Sequence, residues 1–264
     1  MAAVTVAAVK GPTSAVVLGA SGSVGGKLVH HLLRLSQMQH VLLINRRSIP
    51  EFQDPRVHQH LMPEMTVEAM QGVTDLIKKQ GAEAAFITMG VGAASTATPE
   101  QLEMVDVTLP TVFSKAAKEA GAAHMGLLTA VGADYSAGPT WYYKGTGAGG
   151  GLYAHLKGKV EKNIREHQFQ STAIYQPGTL VGAAATPPVW GWMAPKLDWM
   201  VPVRFNSIDI DALGQAMAYG PIAAPSAPVT TYVGQTLFDL SKAAKEAPVW
   251  SNPASGADVA SKSE

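Results

Sequence analysis

The chain has 264 residues, 47% of them hydrophobic, enough to bury the core of one large α/β domain or of a domain with a small annex. Its 20 basic and 20 acidic residues give a formal net charge of zero, which excludes the single-sign field that nucleic acid or an anionic lipid surface would require. Cysteine is absent, so disulfides, thiolate metal sites and a cysteine nucleophile are excluded as well.

Residues 1–13 are rich in Ala and Val, with one lysine and no arginine. They lack a long apolar core, so no secretory signal is expected and the segment reads as a flexible N-terminus. The first strand ends in Ala15-Val16-Val17-Leu18. It runs into Gly19-Ala20-Ser21-Gly22-Ser23-Val24-Gly25 and then a helix over 23–35. Strand, spaced-glycine turn and helix in that order are the setting of a dinucleotide site. Gly19 makes the tight turn. Gly22 lets the backbone approach a pyrophosphate seated on the helix N-terminus, and Gly25 lets helix and strand pack closely.

The second strand, His40-Val41-Leu42-Leu43-Ile44, is a continuous apolar run of the kind covered on both faces. It ends in Asn45-Arg46-Arg47. NAD-binding folds place an acid there for the ribose hydroxyls. Two arginines suit the 2′-phosphate of NADP through forked, charge-assisted hydrogen bonds, so NADP is favoured over NAD. The alternative is that Arg46 and Arg47 are solvated turn residues.

A weak third strand over 57–61, a helix over 66–80 and a fourth strand over 84–88 follow. Thr88-Met89-Gly90 leaves that strand in a small-residue turn where an adenosine or its ribose can pass. After a loop of small residues over 92–99, a helix over 101–120 is expected to kink or divide at Pro110. The fifth strand, 124–128, runs into Thr129-Ala130-Val131-Gly132-Ala133-Asp134. Residues 138–151 form a glycine-rich loop with Trp141, Tyr142 and Tyr143, either a lid or a surface insertion. A helix over 152–167 carries Tyr153, His155, Lys157, Lys159 and Glu161. The sixth strand, 171–175, ends in Gln176-Pro177-Gly178-Thr179.

Residues 183–205 are rich in Pro, Trp and Met. A helix over 209–218 and a last strand over 229–233 complete the domain, and 251–264 reads as a loose tail. The longest uncharged stretches, 167–195 and 212–238, are broken by Pro and Gly, so no membrane span is expected. Strands alternating with helices imply a Rossmann-like, doubly wound parallel sheet with helices on both faces. The nucleotide-binding domain is expected over 14–250, with a small substrate-capping segment at about 183–207.

Tyr153 and Lys157 are four residues apart on one helix and so share a face. A phenol beside an ammonium is acidified, because the positive charge favours the phenolate. Such a tyrosine can pass a proton to or from a carbonyl or alcohol oxygen. The same lysine can hold the nicotinamide ribose.

With the glycine turn, Arg46-Arg47, Tyr153-x-x-x-Lys157 and Gln176-Pro177-Gly178 in this order, the chain resembles the short-chain dehydrogenases/reductases of the extended or atypical type. Three stretches make it most similar to the Tat-interacting-protein-like oxidoreductase group. They are Leu127-Leu128-Thr129-Ala130-Val131-Gly132-Ala133-Asp134, the run from Tyr153 to Glu161, and Tyr175-Gln176-Pro177-Gly178. The resemblance spans roughly 15–218. It implies that Ser21, Ser23 and Val24 line the pyrophosphate turn and that Arg46 and Arg47 contact the 2′-phosphate. It further implies that Thr88, Met89 and Gly90 border the adenosine, and that Pro177 and Gly178 shape the nicotinamide end. Two departures stand out. The group usually has a serine pair where this chain has Thr129-Ala130. Thr129 can hold a substrate oxygen and Ala130 cannot, so a triad whose working hydroxyl belongs at the second position is broken. The loop before Tyr153 is also longer than the group's.

The eight histidines show no metal-ligand spacing and read as surface or core residues, and no metal is expected. Asp134, Asp209 and Asp211 read as turn or helix-start residues. Trp190, Trp192, Met193, Trp199 and Met200 lie in the capping region. They line an apolar pocket, form a docking patch for a partner or membrane surface, or simply pack the annex. Charged residues are only 15% of the chain, against about 25% in an average soluble domain, which points to a surface covered by a partner in an oligomer or complex. Two functions follow. One is an NADP(H)-dependent oxidoreductase for a carbonyl or alcohol substrate, with Tyr153 as acid/base, Lys157 beside it and Thr129 on the substrate oxygen. The other is a non-catalytic NADP(H)-binding subunit or assembly factor of a larger complex. Either is expected in the cytoplasm or a mitochondrion, not secreted.

Overall fold

A computed structural model describes residues 11–91, 97–137, 151–184, 186, 188–224 and 227–250, without the side chains of Pro188 and Trp190. The expected lid loop with Trp141, Tyr142 and Tyr143, most of the expected N-terminal segment and the tail over 251–264 lie outside the described residues. Seven parallel strands form the central sheet: β1 (Ser14–Leu18), β2 (His40–Asn45), β3 (Val57–Leu61), β4 (Ala84–Ile87), β5 (His124–Leu128), β6 (Ser171–Gln176) and β9 (Thr230–Val233), in the order β3-β2-β1-β4-β5-β6-β9. β7 (Leu180–Val181) and β8 (Ile208–Asp209) make a separate two-stranded parallel pair. This is the Rossmann-like, doubly wound arrangement. The order reverses between β1 and β4, and the two finish level, Leu18 opposite Ile87. Ligands in such sheets sit outside the carboxyl ends of the strands at that reversal.

Alternation along β1 explains the two-sided core. Ala15 and Val17 pack with α1 (Ser23–Arg34), α8 (Ile210–Ala223) and α9 (Gln235–Glu246). Val16 and Leu18 pack on the opposite face, with α2 (Val67–Gln71), α3 (Val73–Gln80), α5 (Leu109–Glu119) and α6 (Gly151–Glu166). β2, apolar on both sides, feeds both clusters through Val41 and Leu43 on one and Leu42 and Ile44 on the other.

Several elements differ from the sequence expectation. The helix expected over 66–80 is two helices, α2 capped by Thr66 and α3 starting after Gly72. The helix expected over 101–120 is divided, but one turn ahead of Pro110. α4 (Pro99–Glu103) passes through a π turn at Met104–Thr108 before α5 begins. Pro110 has no N–H for the carbonyl four residues back, and the chain answers with a wider turn in which Leu109 N–H reaches Met104 O. The helix expected over 209–218 continues to Ala223 with Pro221 inside it. α7 (Pro188–Leu197) and the β7/β8 pair build the capping segment, and neither these nor α9 were anticipated.

Candidate functional site

The glycine turn and the exit of β4 form one packed unit. Gly19 has φ of 100°, in the left-handed region, and a Cβ there would stand 2.5 Å from Met89 N. A Cβ on Gly25 would run into the Gly19 carbonyl oxygen and lie 2.6 Å from Thr88 Oγ1. Thr88 closes the unit, donating its hydroxyl to Gly19 O at 3.1 Å and its N–H to Leu18 O at 2.9 Å. Gly22 is different: among the described residues the only atom near a Cβ there is Gly19 O, at 3.3 Å. Among the described residues the space over Gly22 is therefore open. α1 starts at this point with no side-chain cap and no acid in its first turn, so its leading N–H groups present partial positive charge to an incoming anion.

A cleft of about 620 Å³ opens over this turn. It brings together Gly19, Ser21, Gly22, Arg46, Thr88, Met89 and Gly90 of the expected nucleotide residues. Arg47 is exposed and does not line it. Val24 is in the hydrophobic core, and Ser23 accepts a hydrogen bond from Ala184 N at 3.0 Å, tying the turn to the chain after β7. The cleft also contains residues that sequence reasoning missed: Asn45 at the end of β2, Pro63 and Met65 after β3, and Gln101, Met104 and Val105 from the divided helix. Asn45 alone carried a signal, as the strand-end residue where an acid would favour NAD. Its amide donates to Gln59 at 3.3 Å, and its buried Oδ1 has no partner among the described residues.

At the other end, α6 presents Tyr153, Lys157, Glu161 and Arg165 at four-residue steps along one face. Gly158 seats this helix, because a Cβ there would strike the backbone of Asp134 and Tyr135. Asp134 N–H bonds Ala154 O at 3.0 Å. The Lys157 ammonium lies 5.4 Å from the centroid of the Tyr153 ring and 3.0 Å from Asp106 Oδ1 in the π turn. Both ionic side chains are buried, at 7% and 1% exposure. Burial opposes the charge on Lys157. Tyr153, Asp106 and Glu161 outweigh it and hold the lysine above its ordinary pKa.

Glu161 is the second anchor. Its Oε1 accepts from Thr129 Oγ1 at 2.6 Å and from Gln176 Nε2 at 2.8 Å, and its Oε2 from Arg165 at 3.1 Å. Thr129 therefore donates its one hydroxyl proton to a buried carboxylate. Ala130, the next residue, is half-buried at the strand exit. Pro177 is buried, and its carbonyl accepts from Val131 N at 2.9 Å. A Cβ on Gly178 would stand 2.5 Å from the carbonyl oxygens of Phe205 and Asn206, so the capping segment rests directly on the β6 exit. In that segment Trp192, Trp199 and Met200 are exposed, Trp199 to 82%, and Met193 is half-buried.

His155 turns away from the Tyr153 face, onto the Tyr135 carbonyl at 2.9 Å. Asp134 accepts from Ser136 N–H at 2.8 Å, Asp209 caps α8, and Asp211 pairs with Lys27 at 3.6 Å. Gly90 joins the two ends. It lines the cleft, and a Cβ on it would stand 3.0 Å from Asp106 Oδ1 and 3.6 Å from Lys157 Nζ.

No protein-family model matches the chain. Curated relatives do. Protein FMP52, mitochondrial, of Eremothecium gossypii is 27% identical over 173 residues, 66% of this chain and 69% of that protein. Protein HTATIP2 of Rattus norvegicus is 25% identical over 194 residues, 74% of each chain. Among solved structures, the Bordetella bronchiseptica enzyme WbmH in complex with NAD+ superposes with a TM-score of 0.62 at 13% identity, covering 88% of this chain and 80% of that one. UDP-glucose 4-epimerase of Thermotoga maritima, with UDP-glucose, gives 0.59 at 15% identity, covering 88% and 82%. Among the described residues no helix is long and apolar enough to cross a membrane.

Proposed function

We infer from this chain's membership of the atypical short-chain dehydrogenase/reductase superfamily that it binds NADP(H) in the cleft and reduces a carbonyl substrate through Tyr153 and Lys157. The observation that carries this reading is Gly90, which borders both the cleft and the Lys157 ammonium. A nucleotide in the cleft and a proton donor on α6 then serve one site. The residues suit such a cofactor. The uncapped start of α1 and the open space over Gly22 accept a pyrophosphate, and Arg46 in the cleft wall is the partner for a 2′-phosphate. Asn45, a neutral amide at the end of β2, leaves that phosphate unopposed.

The nicotinamide, when bound, supplies the hydride. The chain's own residues manage the proton. Tyr153 donates its O–H to the carbonyl oxygen as that oxygen gains charge, and the Lys157 ammonium stabilises the negative charge left on the phenol. Tyr153→Phe is expected to lower NADPH-dependent turnover of a panel of aldehydes and ketones by about 10²–10⁴-fold. NADPH binding, followed by its fluorescence, should be unchanged. Wild-type turnover in the variant would overturn the mechanism.

A second reading is favoured by Thr129. Its proton goes to Glu161, and the neighbouring residue is Ala130, so a scaffold that holds NADP(H) without using it has support. In that case the exposed Trp192, Trp199 and Met200 are the face a partner chain covers, and the names of the fungal relatives favour a mitochondrial setting. Native mass spectrometry of the protein isolated from its source separates the two. Retained nucleotide with partner chains and no turnover supports the scaffold. A monomer with brisk reductase activity excludes it.

A further inference from the structure

The capping segment adds almost nothing to the core. Ala194 is its one buried residue among the described side chains of 189–205. Of the eleven large hydrophobic side chains exposed among the described residues, seven fall between Val189 and Val203. Trp192 is 66% exposed, Trp199 82% and Met200 63%. Apolar side chains gathered this densely on a surface mark a contact with something outside the chain. The segment is nonetheless fixed in place. α7 passes into a 3₁₀ turn at Asp198–Met200, and Ser207 holds both oxygens of Asp198, donating its N–H at 2.9 Å and its hydroxyl at 2.6 Å.

The charges of the segment favour one kind of contact. Residues 188–205 carry Lys196, Asp198 and Arg204. The one carboxylate is engaged by Ser207, and both cations are exposed. Lys196 Nζ lies 3.3 Å from the centroid of the Trp192 ring, and the Arg204 guanidinium 4.8 Å from that of Phe205. Neither cation has an ion pair among the described residues.

We propose that this segment is a docking face for an anionic phospholipid bilayer. Trp192, Trp199 and Met200 enter the boundary between headgroups and acyl chains, and Lys196 and Arg204 meet lipid phosphates. Tryptophan suits that depth, because its ring is apolar and its N–H polar. With Lys196 over Trp192, ring and charge reach the headgroup level together. The spacing of the apolar residues favours a bilayer over a groove on a partner protein. A groove that takes a helix reads anchors three and four residues apart. Here Trp199, Met200, Val201 and Val203 are exposed almost consecutively, and a fluid apolar phase accepts any spacing. A second copy of the chain fits less well, because a twofold contact would crowd Lys196 and Arg204 of both copies into one interface. The zero net charge of the whole chain gives no attraction at long range, so docking acts at contact, within a Debye length of about 8 Å.

Flotation of the full-length protein with vesicles decides between these occupants. Vesicles of phosphatidylcholine and phosphatidylglycerol in equal parts should carry the wild type up the gradient, and phosphatidylcholine alone should bind it about tenfold more weakly. Brominated acyl chains in the mixed vesicles should quench its tryptophan fluorescence. Trp199→Ser/Met200→Ser should weaken binding to the mixed vesicles about tenfold or more. Lys196→Gln/Arg204→Gln should weaken it about tenfold and leave binding to phosphatidylcholine unchanged. All four residues are exposed, and an unchanged urea midpoint shows that both variants fold. A wild type that floats with neither kind of vesicle overturns the proposal, whether the face is then found on a second copy by sedimentation velocity or on a partner chain by native mass spectrometry. Equal binding by the wild type and the Trp199/Met200 variant overturns it as well, and equal binding to both kinds of vesicle overturns the choice of an anionic surface. Flotation requires neither NADPH nor a substrate, so absent turnover would defeat the proposed reaction while leaving the docking face decided separately.

Discussion

Around Gly19–Gly25 the site is held by backbone. The turn closes on its own carbonyls and on the exit of β4, and the positions that matter lack a side chain because a neighbour's main chain occupies the room. Around Tyr153–Glu161 it is held by charge. A buried ammonium, two buried carboxylates, a hydroxyl and an amide fix one another from four different elements. The first construction tolerates almost no added atom but places few demands on its neighbours' chemistry. The second tolerates changes of shape better than the loss of one partner, because a buried charge left alone is costly.

Substitutions can break or sharpen this contrast. The largest stability effect is expected for Gly25→Ala, which forces a methyl onto the Gly19 carbonyl. It should lower unfolding free energy by about 3 kcal/mol in urea denaturation and abolish NADPH binding. Thr129→Val tests the charged end. It removes one of three hydrogen bonds to Glu161 and should cost about 2 kcal/mol by the same measurement, with Thr129→Ser close to wild type. If Thr129→Val lowers turnover without a stability change, its hydroxyl serves the substrate and not Glu161.

Gly22→Ala separates the protein's needs from the ligand's. A Cβ on Gly22 meets only one atom of the described residues, so stability should fall by less than about 1 kcal/mol. NADPH affinity measured by fluorescence should drop about tenfold, or about 1.4 kcal/mol. Equal affinity in Gly22→Ala and wild type would mean that no pyrophosphate crosses this turn. The smallest effect belongs to Arg46→Ala. It should leave stability within about 0.5 kcal/mol and weaken NADPH about fivefold, with NADH unaffected. An equal loss for both cofactors would remove the argument for a 2′-phosphate contact.

The difference between the two ends also explains how much could be read in advance. Gly19, Gly25 and Thr88 stand beside the strands whose ends they occupy, so a local pattern of strand, glycine and helix located them. The Tyr153–Lys157 spacing was equally local, since four residues on a helix put two side chains on one face. Asp106 was not legible. It sits 51 positions from Lys157 in a segment that reads as ordinary helix, and only the extra residue of the π turn before Pro110 brings its carboxylate inward. Thr129 was found as a hydroxyl near the chemistry, but its partner, Glu161, lies 32 residues on, and the sequence gives no sign of that bond. Gly158, quoted only as part of a motif, proves to be where α6 rests on the loop after β5.

By itself, then, the sequence determined the alternation of the seven sheet strands with their main helices, the glycine turn after the first strand, and the presence of a phenol and an ammonium on one helix. These follow from backbone sterics and from the 3.6- and 2-residue periods, which act over a few neighbours. The tertiary structure decided which charge meets which. It placed Gly90 against Lys157, gave the Thr129 proton to Glu161 and set Asp106 on the lysine. Pairing of buried charges depends on distances between segments far apart in the chain, and no local period records them.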